Sequence, residues 1–334
     1  MSEPKLLIAL TPSEAATAQV RSVFPDVPWA YASDVRSRPW TTVRAMLVGS
    51  LDRELPGFKP EMVPRLEIVQ TIYTGVDAFP FERFRPGVAV CANVGGYAPF
   101  VAEHALALSL ALARGIPEGM GSVAEGRLRP APEARTFVGK RALILGFGAI
   151  AKELAPRLRA LGLELEGLSR SGTEEPGAVR MFPASKLIEA VGRADLIVEI
   201  RPLTRATRGT LGAREFAAMR DDAIFVNVGR AETVDEGALY EHLRAHPRFR
   251  AGFDVFWEEA FGDGKLEFRF PFPSLANFLG SPHCAAAVPE ARPYALERAL
   301  SNLRRFFDGT LALYRVDRRE YERADVSGVA SGTR

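Results

Sequence analysis

The sequence predicts an α/β protein in which a doubly wound parallel-sheet domain is inserted into a smaller, discontinuous α/β domain. Three observations predict it. Short apolar runs alternate with stretches of helical periodicity along most of the 334 residues, the pattern of parallel sheets built from βαβ units. A strand, a glycine-rich turn and a helix stand in the middle of the chain, from Arg141 to Leu158. At ordinary domain sizes, about a hundred residues precede this central domain and about fifty follow it. Neither flank needs to be independent, so the economical arrangement joins both into one partner domain with a cleft between the two.

The elements follow in order. Residues 6–10, 29–32, 45–48, 68–72 and 88–91 read as strands, and residues 13–24, opened by Thr11-Pro12-Ser13, as a helix. Residues 101–114 read as a long buried helix. Residues 115–136, rich in Gly, Pro and charge, read as a loop or arm. Strands at 142–145, from 163, at 196–200, 223–228, 251–256 and 278–281 then complete a sheet of six or seven strands. Residues 291–307 form a final amphipathic helix, and the Gly/Ser/Ala-rich tail from Ala324 reads as disordered. The expected boundaries are 1–100 with 285–334 for the smaller domain and 101–284 for the central one.

Composition removes several function classes. Net charge is +2 with acidic and basic residues interspersed, which gives no electrostatic case for nucleic acid or a membrane surface. The N-terminus lacks a signal-peptide pattern, and the most apolar stretch, 101–113, is too short to span a bilayer. A cytoplasmic enzyme is the expectation. Cys91 and Cys284 are the only cysteines, too few for a disulfide framework and without metal-ligand spacing. No metal is expected. His242 and His246, four apart on a helical stretch, lack a third ligand and read as solvated.

The central motif carries specific chemistry. An apolar strand runs into Gly146-Phe147-Gly148-Ala149-Ile150-Ala151, the G-x-G-x-x-A dinucleotide fingerprint in its required context. Gly146 permits the tight turn, Gly148 lets backbone approach a pyrophosphate, and Ala151 lets the helix pack on the strand. The helix N-terminus then offers N–H groups to phosphate. About twenty residues further on, an NAD site places a carboxylate on the ribose 2′-hydroxyl. Here Ser169, Arg170 and Ser171 stand instead. One guanidinium and two hydroxyls suit a 2′-phosphate, so NADP(H) is expected over NAD(H), with NAD(H) possible.

Three further residues follow strands at the edge where α/β sheets bind ligands. Arg230 follows Val226-Asn227-Val228-Gly229, Glu259 follows Asp254-Val-Phe-Trp-Glu258, and His283 follows Ser281-Pro282. The guanidinium can hold a carboxylate and polarise the neighbouring carbonyl. The imidazole can deliver or take a proton, and the Glu can orient it. Beside a nicotinamide they suit hydride transfer to a 2-oxo acid. From position alone, each also has a structural reading: a loop arginine, a histidine after a proline, a surface acid.

With these motifs in order, the chain resembles the D-isomer-specific 2-hydroxyacid dehydrogenases, including glyoxylate/hydroxypyruvate reductases and phosphoglycerate dehydrogenases. The segments are Gln70-Thr-Ile-Tyr73-Thr74-Gly75-Val76-Asp77, Val101-Ala-Glu-His104, the Gly146 fingerprint, Pro202-Leu-Thr-Arg-Ala-Thr207, Val226-Asn-Val228-Gly229-Arg230, Phe253-Asp254-Val-Phe and Ser281-Pro-His283. The resemblance implies a Rossmann cofactor domain inserted in a flavodoxin-like substrate domain. It implies that Arg230, Glu259 and His283 are the catalytic set, and that Thr74, Gly75 and Val76 receive the substrate carboxylate, with Tyr73 edging the pocket. It places Asp254, Arg201, Pro202, Thr207, Val228 and Gly229 at the cofactor, with Arg201 a second cation near the 2′-phosphate. It also implies a homodimer, with the helix over 101–114 at its interface. Ala260 stands where the family has proline, so Glu258 competes with Glu259. The expected activity is NADP(H)-preferring reduction of a small 2-oxo acid. The rival is a nucleotide-sensing, corepressor-like protein on the same fold, and a weaker third reading is a dehydrogenase of an inorganic or one-carbon donor.

Overall fold

A computed structural model of the chain describes residues 3–34, 40–128, 134–260 and 264–321. The tail from Ala324 lies outside the described residues. The chain divides into two compact units, 1–96 with 292–334, and 97–291. The divisions fall four residues before and seven after the expected 100/101 and 284/285. The helix Ala98–Arg114 packs on elements of the second unit, and Ser281, Cys284 and Ala285 are hydrogen-bonded to Asp254, so both segments belong with it.

The first unit is a five-stranded parallel sheet of β1 (Leu6–Ala9), β2 (Trp29–Tyr31), β3 (Ala45–Val48), β4 (Ile68–Thr71) and β5 (Ala89–Cys91), in the order β2-β1-β3-β4-β5. That is the flavodoxin-like order. β1, β3 and β4 are buried along their whole length; β1 and β3 read as continuous apolar runs, while β4 carries buried Gln70 and Thr71, whose side chains are hydrogen-bonded to backbone. The helix Glu14–Val23 is opened by Ser13, whose hydroxyl accepts from Ala16 N at 3.1 Å. Buried Asn302 ties the C-terminal helix Ala291–Phe307 to this sheet, donating to Gln70 Oε1 (2.6 Å) and Leu313 O (3.0 Å).

The second unit holds a seven-stranded parallel sheet of β6 (Arg141–Leu145), β7 (Glu164–Ser169), β8 (Arg180–Pro183), β9 (Leu196–Glu199), β10 (Ile224–Asn227), β11 (Arg250–Phe253) and β14 (Phe278–Gly280). The order is β14-β11-β10-β9-β6-β7-β8, doubly wound as expected. β12 (Glu259–Ala260) and β13 (Lys265–Leu266) form a separate antiparallel hairpin. Side chains of β6 alternate between two apolar layers. Ala142 and Ile144 meet Leu108, Leu112, Leu154 and Leu158; Leu143 and Leu145 join the layer of Phe216, Phe225 and Phe253. Each fully buried Leu or Phe contributes about 1.5–3 kcal/mol, and this double-sided core holds the strand ends rigid.

Three expectations are corrected here. Within the stretch expected to be a loop or arm, Ile116–Ala124 is a helix. Gly115, at φ +61°, ends the preceding helix and turns the chain by 61°. Pro117 falls in the new first turn, where a missing N–H costs nothing. Arg250 stabilises the corner, donating to Leu112 O and lying 3.8 Å from Glu118. Second, β8 adds an edge strand that its single buried residue, Phe182, did not reveal. Third, His242 is buried rather than solvated. Leu239, His242 and Leu243 form the inner face of the helix Glu236–Ala245, and the imidazole stacks on Phe216 (5.5 Å) and His246 (4.1 Å). Among the described residues, no single helix is long and apolar enough to cross a membrane.

Candidate active site

The glycine-rich turn joins β6 to the helix Ala149–Ala160. Gly146 sits at φ +95°, and a Cβ there would lie 2.9 Å from Arg201 Cγ, so only glycine fits. Gly148 differs: nothing lies within 4 Å of a Cβ placed on it, and the helix it opens has no side-chain cap. Uncapped N–H groups facing open space fit a pyrophosphate. Phe147 is buried, its ring above Gly167, so at this position only backbone is left for a cofactor. Ala149 and Ile150 begin the helix, half-buried, and Ala151 is fully buried in the strand–helix contact.

At the end of β7, Ser169 Oγ accepts from Gly172 N at 3.0 Å, and Ser171 Oγ lies 2.6 Å from Thr173 Oγ1. Arg170 is exposed between them. The nearest acid along the chain past this turn is Glu174, and Glu175 pairs with Lys152 at 3.1 Å.

Arg201 takes a different role from the one the sequence suggests. Its backbone N–H, Nε and Nη2 donate to the carboxylate of Glu199, at 2.7, 2.9 and 2.5 Å. Glu199 is wholly buried at the end of β9. A buried carboxylate needs this compensation, so the guanidinium is committed to Glu199 rather than extended toward a 2′-phosphate. Sequence reasoning missed Glu199 because it stands inside an apolar strand. Pro202 and Thr207 form the following turn: Thr207 Oγ1 donates to Pro202 O (2.6 Å) and accepts from Thr204 N (2.8 Å). Val228 is buried, with its N–H on Glu199 O at 3.1 Å. Gly229 admits close approach, since a Cβ would stand 3.0 Å from Arg201 O.

Arg230, Glu259 and His283 follow β10, β11 and β14, three adjacent strands. Asn227 shapes the Arg230 turn, accepting from Gly229 N (3.0 Å) and donating to Arg230 O (3.1 Å). His283 Nδ1 meets Glu259 Oε2 at 2.7 Å, and Glu259 Oε1 accepts from Phe256 N at 2.7 Å. The aromatic stack Phe253–Trp257–Phe272 supports the segment leading to Glu259. Glu258 points to solvent, so the geometry pairs His283 with Glu259 and not with Glu258. With Nδ1 donating to a carboxylate, the ring is fixed in orientation.

Asp254, at the end of β11, is 1% exposed. It accepts from Ser281 Oγ (2.6 Å), Cys284 N (2.9 Å) and Ala285 N (2.9 Å). Burial pushes its pKa up, but hydrogen bonds from His104, Ser281, Cys284 and Ala285 outweigh this and hold it below the ordinary value. Asp254 therefore anchors the loop carrying His283, a role the sequence did not reveal.

In the first unit, Thr74 Oγ1 donates to Asn93 O (2.8 Å) and Asn93 N donates to Tyr73 O (3.1 Å). These bonds fix the turn containing Gly75 at the carboxyl end of β4. Val76 is buried and Tyr73 is 39% exposed.

Comparison with known proteins gives the family. Residues 106–285 match the model of the D-isomer specific 2-hydroxyacid dehydrogenase NAD-binding domain. Hydroxypyruvate reductase of Thermotoga maritima is 33% identical over 229 residues, 68% of this chain and 73% of that protein.

The chain belongs to the D-isomer-specific 2-hydroxyacid dehydrogenase family.

Solved structures extend the likeness over nearly the whole chain. A Pyrobaculum aerophilum protein provisionally described as a formate dehydrogenase is 28% identical with a TM-score of 0.80, over 95% of this chain and 100% of that one. A D-isomer specific 2-hydroxyacid dehydrogenase from Xanthobacter autotrophicus Py2, solved with NADPH and MES, is 27% identical with a TM-score of 0.78, over 96% and 100%. As a family member, this D-2-hydroxyacid dehydrogenase is an NAD(P)-dependent oxidoreductase. Its Rossmann-type sheet carries the open glycine turn and the His283–Glu259 pair at its carboxyl edge.

Proposed function

We propose that the protein reduces a small 2-oxo acid to the D-2-hydroxy acid with NADP(H) as the preferred cofactor, NAD(H) being the weaker alternative. The observation that carries this reading is the His283–Glu259 contact at 2.7 Å beside the strand that presents Arg230. When bound, the nicotinamide supplies the hydride, or takes it up in reverse. Backbone of Gly146–Ile150 holds the pyrophosphate, and Ser169, Arg170 and Ser171 receive the 2′-phosphate. Support for NADP(H) comes from a β7 turn that presents hydroxyls and a guanidinium rather than an acid, and from the NADPH carried by the Xanthobacter relative.

Arg230 holds the substrate carboxylate and polarises the carbonyl. His283 donates a proton from Nε2 to the carbonyl oxygen as the carbonyl carbon accepts hydride. In the oxidative direction the same nitrogen takes the proton back. Glu259, anchored by Phe256 N, keeps the ring oriented. Asp254 contributes by holding the histidine loop.

The assembly proposed is a homodimer in the cytoplasm. Ile116, Met120 and Val123, spaced along one side of the helix Ile116–Ala124, are 53%, 68% and 77% exposed. A second copy of the chain is the occupant this apolar face favours. The helix Ala98–Arg114, the other element the proposal places at the interface, packs within the chain on the helix Ala149–Ala160 and on β10 and β11.

No observation favours the nucleotide sensor. The test is initial-rate oxidation of NADPH and NADH with glyoxylate, hydroxypyruvate and phenylpyruvate. Turnover with NADPH favoured supports the proposal; cofactor binding without turnover on any 2-oxo acid contradicts it.

A further inference from the structure

We propose that His104 is a positioning residue for the acid/base histidine, acting through Ser281 and Asp254 on the loop that carries His283. The inference rests on the reading of His283 as the proton donor.

His283 has φ +50°, and apart from Tyr314 it is the only non-glycine among the described residues at positive φ. A side chain in that region is disfavoured and persists only when its surroundings over-determine it. The restraints converge on Asp254. His283 N donates to Ser281 O at 2.9 Å, closing a tight turn. Asp254 Oδ1 accepts from Ser281 Oγ and Cys284 N, and Oδ2 accepts from Ala285 N, so the residues on both sides of His283 hang from one carboxylate. Asp254 is itself fixed to the sheet, its N–H donating to Asn227 O at 3.0 Å.

His104 completes the arrangement from a distant part of the chain. It lies on the helix Ala98–Arg114, with Nε2 2.8 Å from Ser281 Oγ and 3.4 Å from Asp254 Oδ1. Counting protons assigns the roles. Ser281 has one hydroxyl proton and gives it to Asp254, so its oxygen accepts from His104 and the imidazole carries its proton on Nε2. A helix packed on β10 and β11 therefore braces the Ser281 hydroxyl, the hydroxyl braces the carboxylate, and the carboxylate fixes the His283 turn. Loosening such a support displaces the acid/base group, and a misplacement of about 1 Å costs about a hundredfold in rate.

The same neighbourhood suggests a second chemistry. Ligand atoms of His104, Asp254 and Cys284 lie within 4.8 Å of one another, which a divalent metal ion would tolerate. Hydrogen bonding argues against it. His104 Nε2 is used on Ser281, Asp254 is occupied by Ser281, Cys284 and Ala285 with His104 alongside, and burial together with Asp254 pushes the Cys284 thiol up rather than toward thiolate.

The experiment uses the full chain and compares His104→Ala, His104→Gln and Ser281→Ala with His283→Ala as reference. It measures kcat, KM for the best 2-oxo acid, NADPH affinity by fluorescence, and bound metal. The expected result is a fall in kcat of about tenfold to a hundredfold for His104→Ala and Ser281→Ala, with NADPH affinity changed by less than about threefold. His104→Gln is expected to recover most of the rate, because its amide N–H can donate to Ser281. Parental kcat in His104→Ala overturns the proposal, as does equal impairment of the Ala and Gln variants. A stoichiometric divalent ion bound by the parent and lost in His104→Ala overturns it in favour of a metal site. Full activity in His283→Ala is a separate failure, because it removes the underlying reading itself.

Discussion

His283 Nδ1 and Glu259 Oε2 stand 2.7 Å apart although 24 residues separate them, and Glu258, one residue from Glu259, points to solvent. The pairing assigns distinct consequences to adjacent carboxylates. Glu259→Gln is expected to lower kcat by about tenfold to a hundredfold, since it removes the carboxylate that accepts from Nδ1 and orients the imidazole. Glu258→Gln is expected to match the parent. Steady-state kinetics on the two variants check this, and equal losses would refute the assignment.

The two glycines of the fingerprint are expected to fail differently. At Gly146 a methyl group meets positive φ and Arg201 Cγ at 2.9 Å. Gly146→Ala is therefore expected to lower thermal stability as well as dinucleotide binding. At Gly148 the same methyl enters open space. Gly148→Ala is expected to keep the parental melting temperature while weakening NADPH at least about tenfold, because the methyl occupies the volume needed by the phosphates. Calorimetry with fluorescence titration separates the two.

Cofactor choice rests on the β7 turn. Arg170→Ala is expected to reduce the NADPH-over-NADH ratio of kcat/KM by about ten- to a hundredfold, the worth of one charge-assisted contact. NADH kinetics should hardly change. An unchanged ratio would remove Arg170 from the 2′-phosphate site.

His242 predicts how stability depends on pH. Burial, and then the neighbouring His246, lower its pKa from 6.5 to about 4, with Asp221 opposing. Unfolding frees the ring to bind a proton near its ordinary value, so between about 6.5 and about 4 the unfolded state holds more protons. Stability contributed by the neutral ring is complete above about 6.5 and lost as pH falls through 4. The slope for one such group is about 1.4 kcal/mol per pH unit, roughly 3 kcal/mol over the window. His242→Phe is expected to show a flatter decline in urea unfolding free energy between pH 7 and 5. An identical decline would show that His242 does not titrate in this way.

Much of this architecture is legible in the sequence because strands covered on both faces are largely apolar. β1 and β3 are apolar throughout, and the fingerprint marks the switch from strand to helix. Strand ends also place Arg230, Glu259 and His283 on one edge. The parts that were not legible share one cause, which is tertiary contact overriding local pattern. Gly115, Pro117, Gly119 and Gly121 read as loop, yet Arg250 links Leu112 and Glu118 and supports a helix. Glu199 carries no local sign of being buried, because its compensating Arg201 is recognisable only once the strand end is folded. His242 reads as polar, but its ring lies on the inner face of its helix between Phe216 and His246. Ser281 and His104 meet across 177 residues, a relationship no local spacing encodes.

The central claim is a 2-oxo acid reductase whose proton comes from His283. Its most direct measurement is the initial rate of NADPH oxidation with glyoxylate or hydroxypyruvate, for the parent and for His283→Ala at equal cofactor occupancy. The account predicts turnover by the parent and a loss of about 10²–10⁴-fold in the variant, with NADPH affinity nearly unchanged. A variant that turns over at the parental rate would contradict it.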